Sequence, residues 1–179
     1  MKGTIAACLE EMVRENHGRK AWKEICEAAG LPRNHIFSLS NDVPDADVVA
    51  LIGVAAKVLG VSVEDAMFAF GVHWSSVYAP KVYGQYFASA HNAKQFLLQL
   101  DQVHTVVTNT MDQARPPHFT YDESRPGELT MNYSSARGLV ALMPGLVAGV
   151  AKHFGEEIST SVTGTRVQIT FHSAASRAA

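Results

Sequence analysis

Apolar residues recur at helical spacing through the first two thirds of the chain and alternate with polar ones through much of the last third. Thr4 to Asn16 reads as a first helix, with Ile5, Leu9, Met12 and Val13 on one side, and His17-Gly18 stops it. Arg19 to Ala29 reads as a second, turning Trp22, Ile25 and Cys26 or Ala29 inward; Gly30 ends it and Pro32 follows. Residues 34 to 43 form a connection whose Ile36, Phe37 and Leu39 are expected against the core. Asp42 to Asp47 is acidic and contains Pro44, which suits a helix N-terminus. The third helix carries Val48, Leu51, Ile52, Ala55, Val58 and Leu59 and closes at Gly60. Ser62 caps a fourth, which runs through Ala66, Met67 and Phe70. Pro80 is expected to break or kink the chain before Tyr83. Residues 82 to 90 then lead into the longest amphipathic stretch, Ala93 to Asp112, where Leu97, Leu100, Val107 and Met111 make an apolar stripe. His104 falls on that stripe.

The period changes after Asp112. Arg115-Pro116-Pro117 ends the helix. His118 to Tyr121 reads as a short strand, Ser124 to Gly127 as a turn, and Leu129, Met131 and Tyr133 as the inward positions of a second strand. Gly138 to Phe154 is a helix, apolar nearly all round and so buried; Pro144 within it should kink it. Residues 157–162 and 166–171 alternate around Thr163-Gly164 as a hairpin. The order predicts an α+β fold: an N-terminal helical half, then an antiparallel sheet of about four strands with a helix.

A chain of 179 residues, 47% hydrophobic, builds one domain with a real core. Its formal net charge is -2 and no basic stripe stands out, which gives no support to nucleic-acid binding. The two cysteines, Cys8 and Cys26, form no C-x-x-C, which fits a reducing cytoplasm and argues against a cysteine zinc site. The opening residues do not make a signal peptide, and no run reaches transmembrane length, so no membrane contact is expected. Residues 173 to 179 are small and polar and are expected to be a disordered tail or a truncated linker.

Two features carry candidate chemistry. His104 on an apolar stripe is either a core histidine satisfied by a backbone carbonyl or an axial ligand for a metal macrocycle. Thirty residues on, Tyr133-Ser134-Ser135-Ala136-Arg137 ends the second strand. In an extended chain Tyr133, Ser135 and Arg137 point the same way, as a cationic comb of donors suited to two carboxylates on a planar ligand, such as the propionates of haem. The bland alternative is a solvated strand end. The remaining histidines, His17, His35, His91, His118, His153 and His172, form no metal-ligand spacing and read as surface or capping residues.

Taken together, the anchors resemble the H-NOX family, the haem-nitric oxide/oxygen binding domains of bacterial gas sensors and soluble guanylate cyclase. The opening Met-Lys-Gly-Thr-Ile, the Asp-Gln-Val-His at 101–104, the proline pair at 116–117 and the Tyr-Ser-Ser-Ala-Arg at 133–137 match that family's landmarks with their spacing kept, from Met1 to about Phe171. The resemblance implies a single domain over residues 1–172 that holds haem b between its halves. His104 would be the axial iron ligand, Tyr133, Ser135 and Arg137 the propionate clamp, and Pro117 the residue pressing on the macrocycle. Ile5, Phe96, Leu142 and Leu146 would line the haem, each being equally what an ordinary core uses. Asp45 falls near the family's acidic partner of the clamp arginine; a helix-start role suits it equally well.

By the same resemblance, oxygen-binding members carry a distal tyrosine nine residues beyond the clamp tyrosine. Leu142 stands there, and the run from Gly138 to Phe154 contains no tyrosine. The distal helper positions read Leu9 and Trp74, with His73 as a second possible donor. The implied function is a sensor of NO, and of CO, that excludes oxygen and has no catalysis of its own. It would signal to a histidine kinase, a diguanylate cyclase or a fused chemotaxis receptor. Two other readings compete: a carboxylate-binding module without metal, in which His104 is structural, and a haem enzyme, which needs a distal acid–base pair that the apolar helix does not supply.

Overall fold

The computed structural model describes residues 3–39, 41–109 and 115–172. The expected end of the long helix at Met111 and Asp112, and the tail at 173–179, lie outside the described residues.

The helical half begins with α1 (Gly3–Ala28), one run bent at Gly18, whose φ of 84° and ψ of 168° separate the two helices the sequence predicts. Next comes α2 (Asp45–Leu59), entered through Pro44 and closed by Gly60 in the left-handed conformation (φ 70°). Then α3 (Val63–His73) is capped by Ser62, whose side chain accepts the Asp65 amide at 3.0 Å. These helices enclose a first core of Leu9, Val13, Trp22, Ile25, Val48, Leu51, Ile52 and Phe70. Full burial of each large side chain contributes about 1.5–3 kcal/mol. The connection after α1 departs from expectation. Phe37 does pack on this core, edge-on to Trp22, but Ile36 and Leu39 are 81% and 56% exposed. A loop of this length turns only some of its side chains inward, and its apolar composition carries no period to say which.

Pro80 does not break the chain either. A π-helical turn, Trp74–Tyr78, follows α3 directly, and α4 (Ala79–Ala88) continues from it with Pro80 in its first turn. The Ala79 amide reaches back five residues to the Trp74 carbonyl. Pro80 has no N–H to give, and the wider turn just before it takes up the mismatch. The departure from helical geometry comes at Tyr83 (φ −122°, ψ 27°).

The second half is built on α5 (Ala93–Thr108), capped by Asn92, and a four-stranded antiparallel sheet in the order β1-β2-β4-β3. The strands are β1 (His118–Asp122), β2 (Glu128–Ser134), β3 (Glu157–Thr163) and β4 (Arg166–His172). Phe119, Leu129, Met131, Tyr133, Val167 and Ile169 face inward and are buried, as alternation requires. Between β2 and β3 a 3-10 turn (Val140–Leu142) leads into α6 (Met143–Phe154). Pro144 therefore opens this helix instead of kinking it: in the first turn its missing N–H has no partner to lose. The architecture is the expected α+β. Among the described residues no single helix is long and apolar enough to cross a membrane.

The two halves have separate cores, and Trp74 packs against both. They are joined by close contact of α3 with α6, where Gly71, Gly145 and Gly149 leave no room for side chains. A Cβ on Gly145 would stand 2.3 Å from the Phe68 carbonyl oxygen, and one on Gly149 2.6 Å from that of Val72.

Candidate functional site

His104 lies on α5 facing the sheet. Its ring is 5.8 Å, centroid to centroid, from Phe119 on β1, and Phe119 is 5.9 Å from Tyr133 on β2. The register pairs Phe119 with Tyr133, so the three rings form a row on the sheet's inner surface. The Nδ1 atom of His104 is buried and has no hydrogen-bond partner among the described residues. The Pro117 carbonyl is close enough to favour a protonated ring but is not in hydrogen-bonding geometry. Burial dominates and pushes the imidazole's pKa below its ordinary value, against the opposing pull of Pro117 and Asp101. A neutral ring with an unsatisfied nitrogen is an expensive thing to bury, at about 1–3 kcal/mol. It is also the form in which histidine binds a metal.

The helix bearing His104 is tied at its start and at its middle to the sheet and the residue that leads into it. The Ala93 amide donates to Glu156 Oε1 at 2.9 Å. At its middle, Asp101 Oδ1 accepts the Phe119 amide at 2.9 Å, and the Asp101 amide donates to the Tyr121 hydroxyl at 3.3 Å. His118 Nδ1 stands 3.3 Å from the same carboxylate oxygen.

The Tyr133–Ser135–Arg137 comb is not an extended strand edge. Tyr133 is in β2 and buried, but the strand ends at Ser134. Ser135 then makes a turn: its hydroxyl accepts the Arg137 amide at 3.2 Å and its carbonyl the Gly138 amide at 3.3 Å, with Gly138 at φ 63°. A serine that bonds two residues ahead competes with the strand ladder and wins here. The Tyr133 hydroxyl accepts the Leu139 amide at 3.2 Å. Both hydroxyls thus act as acceptors toward the backbone, which leaves their own protons to donate. Arg137 Nε donates to Asp45 Oδ2 at 2.5 Å and Nη1 to the Arg115 carbonyl at 2.7 Å. Burial works to raise the Asp45 pKa, but hydrogen bonds and charge, Arg137's among them, outweigh it and hold the carboxyl below its ordinary value. Asp45 therefore both starts α2 and pairs with Arg137 across the two halves. A cavity of about 480 Å³ opens beside Tyr133 and Ser135; its other walls include His118, Thr120, Asn132 and Thr165, and His104 is not among them.

The remaining predicted lining residues are spread along the junction. Ile5 and Leu142 are half-buried against the helical core, and Leu146 against the sheet core. Phe96 lies deeper in the sheet half, stacked on Phe87 at 4.2 Å. Pro117 is half-buried just before β1. Trp74 stacks on Tyr78 at 5.4 Å. His73 turns to α1, with Nε2 3.6 Å from Glu11 Oε1.

These residues fit a haem: one neutral imidazole whose Nδ1 has no partner among the described residues, the Tyr133 ring one step away across Phe119, and the Ser135 hydroxyl and Arg137 guanidinium in the turn that follows Tyr133. The family model described as Haem-NO-binding matches residues 2–162. The chain belongs to this family. A soluble guanylate cyclase of Caenorhabditis elegans is 26% identical over an alignment of 157 positions that covers 85% of this chain and 22% of that protein, so the chain spans about a fifth of the relative's length. An oxygen-binding H-NOX domain related to soluble guanylate cyclases superposes with a TM-score of 0.80 at 24% identity, covering 97% of this chain and 96% of that one. A mutant H-NOX of T. tengcongensis gives 0.83 at 23% identity, covering 97% and 98%. At these identities the likeness shows that the H-NOX fold is shared.

Neither the place of Phe119 nor the tethering role of Asp101 is evident in the sequence. Asp101 lies three residues before His104, one turn back on the same helix, and that spacing was the available signal. Phe119 carried none beyond its place in a strand, because only the register sets it between His104 and Tyr133.

Proposed function

We propose that this H-NOX domain is a sensor of NO, and of CO, that holds ferrous haem b between its halves and excludes oxygen. His104 is the axial ligand. Tyr133, Ser135 and Arg137 hold the propionates, with Arg137 steadied by Asp45. Pro117, Ile5, Phe96, Leu142 and Leu146 form the apolar surround, and residues 1–172 make the sensing unit. Bound there, haem would supply an iron able to take up a diatomic gas. The observation that carries the reading is the buried Nδ1 of His104, which has no hydrogen-bond partner among the described residues: a ring so costly to bury is explained by a ligand beside Tyr133, Ser135 and Arg137.

Ligand choice rests on the other side of the site. The shared fold includes an oxygen-binding member, so the fold leaves the gas open and the side chains must decide. Leu142 offers no hydrogen bond, and neither do Leu139, Met143 or Leu146 around it. His73 Nε2 lies nearest Glu11 on α1, at 3.6 Å. Dioxygen as a haem ligand gains partial negative charge and needs a donor, whereas NO and CO need one far less. The domain has no catalysis of its own and passes its signal to a partner protein or a fused effector, such as a histidine kinase, a diguanylate cyclase or a chemotaxis receptor. The route begins at α5, because displacement of His104 pulls on Asp101 and, through it, on β1.

The test is the visible spectrum of the reduced protein under NO, under CO and in air. Distinct NO and CO spectra with no persistent oxygen complex are expected. A stable oxygenated spectrum in air would overturn the oxygen exclusion, and the absence of a haem band after reconstitution would overturn the whole reading.

A further inference from the structure

In the helical half, Glu11 and Glu15 project from adjacent turns of α1 toward His73 at the end of α3. One ligand atom from each lies within 4.8 Å of the other two. His73 is only 8% exposed, and its Nε2 is buried with no hydrogen-bond partner among the described residues. That nitrogen is 3.6 Å from Glu11 Oε1, too far for a hydrogen bond. It is close to the separation of about 3.4 Å between neighbouring ligand atoms of a tetrahedral zinc ion. Glu11 Oε1 is held at 2.8 Å by Lys81 Nζ, but the lysine side chain is 54% exposed and free to swing into solvent. The Glu15 carboxylate is exposed and can reorient.

We propose that Glu11, Glu15 and His73 form a site for a divalent transition-metal ion, zinc by its ligand chemistry, which clamps α1 to the end of α3. One imidazole and two carboxylates are the ligand set of a borderline ion that accepts nitrogen and oxygen; calcium and magnesium would take oxygens alone. Water completes the coordination on the exposed side. Burial, which favours the neutral imidazole over the pull of Glu15 and Glu11, leaves His73 ready to bind without first losing a proton. Lys81 is then a competitor: in the metal-free protein it neutralises Glu11, and the ion displaces it. The clamp lies one residue before the π-helical turn at Trp74, so metal binding would stiffen the helix where it changes register.

The experiment is calorimetric titration of the haem-loaded, tag-free protein with zinc chloride, paired with thermal melts with and without zinc. The expected result is one-to-one saturable uptake and a raised melting temperature. Glu15→Gln and His73→Gln should each weaken uptake by at least about tenfold. Lys81→Ala should tighten it. Glu15 is exposed, so its variant folds and remains readable even if His73→Gln does not. No saturable uptake by the unmodified protein, or equal affinity in the unmodified protein and Glu15→Gln, would overturn the site and assign any bound zinc to surface histidines. Weaker binding by Lys81→Ala would contradict the competition.

Discussion

Arg137 bonds Asp45 with Nε and the Arg115 carbonyl with Nη1, and still has N–H groups to give a carboxylate ligand. Asp45 thus positions the donor. Because Asp45 is 40% exposed, water screens the pair, and Asp45→Asn should cost about 1 kcal/mol, or about 2–4 °C in melting temperature for a domain of this size. The carboxyl's pKa is lowered on folding, so this contribution is present above the unfolded value near pH 4 and is lost as pH falls through the folded value. Melts of the two proteins should differ at pH 7 and converge below about pH 4. Leu142 makes the second residue-scale test. It is half-buried in the 3-10 turn before α6, and Leu142→Tyr places a phenol donor there. The reduced variant should hold an oxygenated spectrum longer in air than the unmodified protein; no change would show that position 142 does not face the bound gas. At this scale the sequence was informative about identity and silent about satisfaction. His104 stood out on its stripe, but whether a carbonyl satisfied its ring depended on where Pro117 folds, and thirteen residues of extended chain could carry it as far as about 45 Å away.

Glycine sets the distance between the elements that join the halves. Gly145 and Gly149 on α6, and Gly71 on α3, let the two backbones touch. A methyl group at 145 would stand 2.3 Å from the Phe68 carbonyl oxygen, and backbone cannot yield as a flexible side chain can. Gly145→Ala should therefore cost about 2–3 kcal/mol and lower the melting temperature by at least about 4 °C. A melt within 1 °C or so of the unmodified protein would show that the helices separate freely. The four-residue spacing of Gly145 and Gly149 was visible in the sequence, though an all-round apolar helix hides which face it presents. Helix ends and hairpin were legible from Pro44, Gly60, Ser62 and Gly164, whose backbone preferences act locally. The π turn at 74–78 was not, because it answers a proline six residues beyond its start. Nor was the turn at Ser135, because its hydroxyl could equally have served a strand edge.

The molecule as a whole is two cores with a seam. Trp74 touches both cores, the Asp45–Arg137 pair bridges them, and α5 is fastened to the sheet through Glu156 and Asp101. That layout favours a two-state shift of the helical half against the sheet half when the hold on His104 changes. Adding NO to the reduced protein should speed amide exchange in residues 101–108 and at Phe119, whose N–H is held by Asp101. Unchanged exchange there would contradict the route. The division into a helical half and a sheet half was legible from the change of period after Asp112; the pairing of Asp45 with Arg137 across it was legible only through the family resemblance, since the two are remote in sequence and a helix-start role suited Asp45 equally well. The most direct measurement of the central claim is the absorption spectrum of the reduced protein beside that of His104→Ala, both purified with haem supplied. A Soret band is expected in the unmodified protein, with its loss or displacement in the variant, restored toward the original by added imidazole. An identical haem spectrum in the two proteins would show that His104 does not hold the iron.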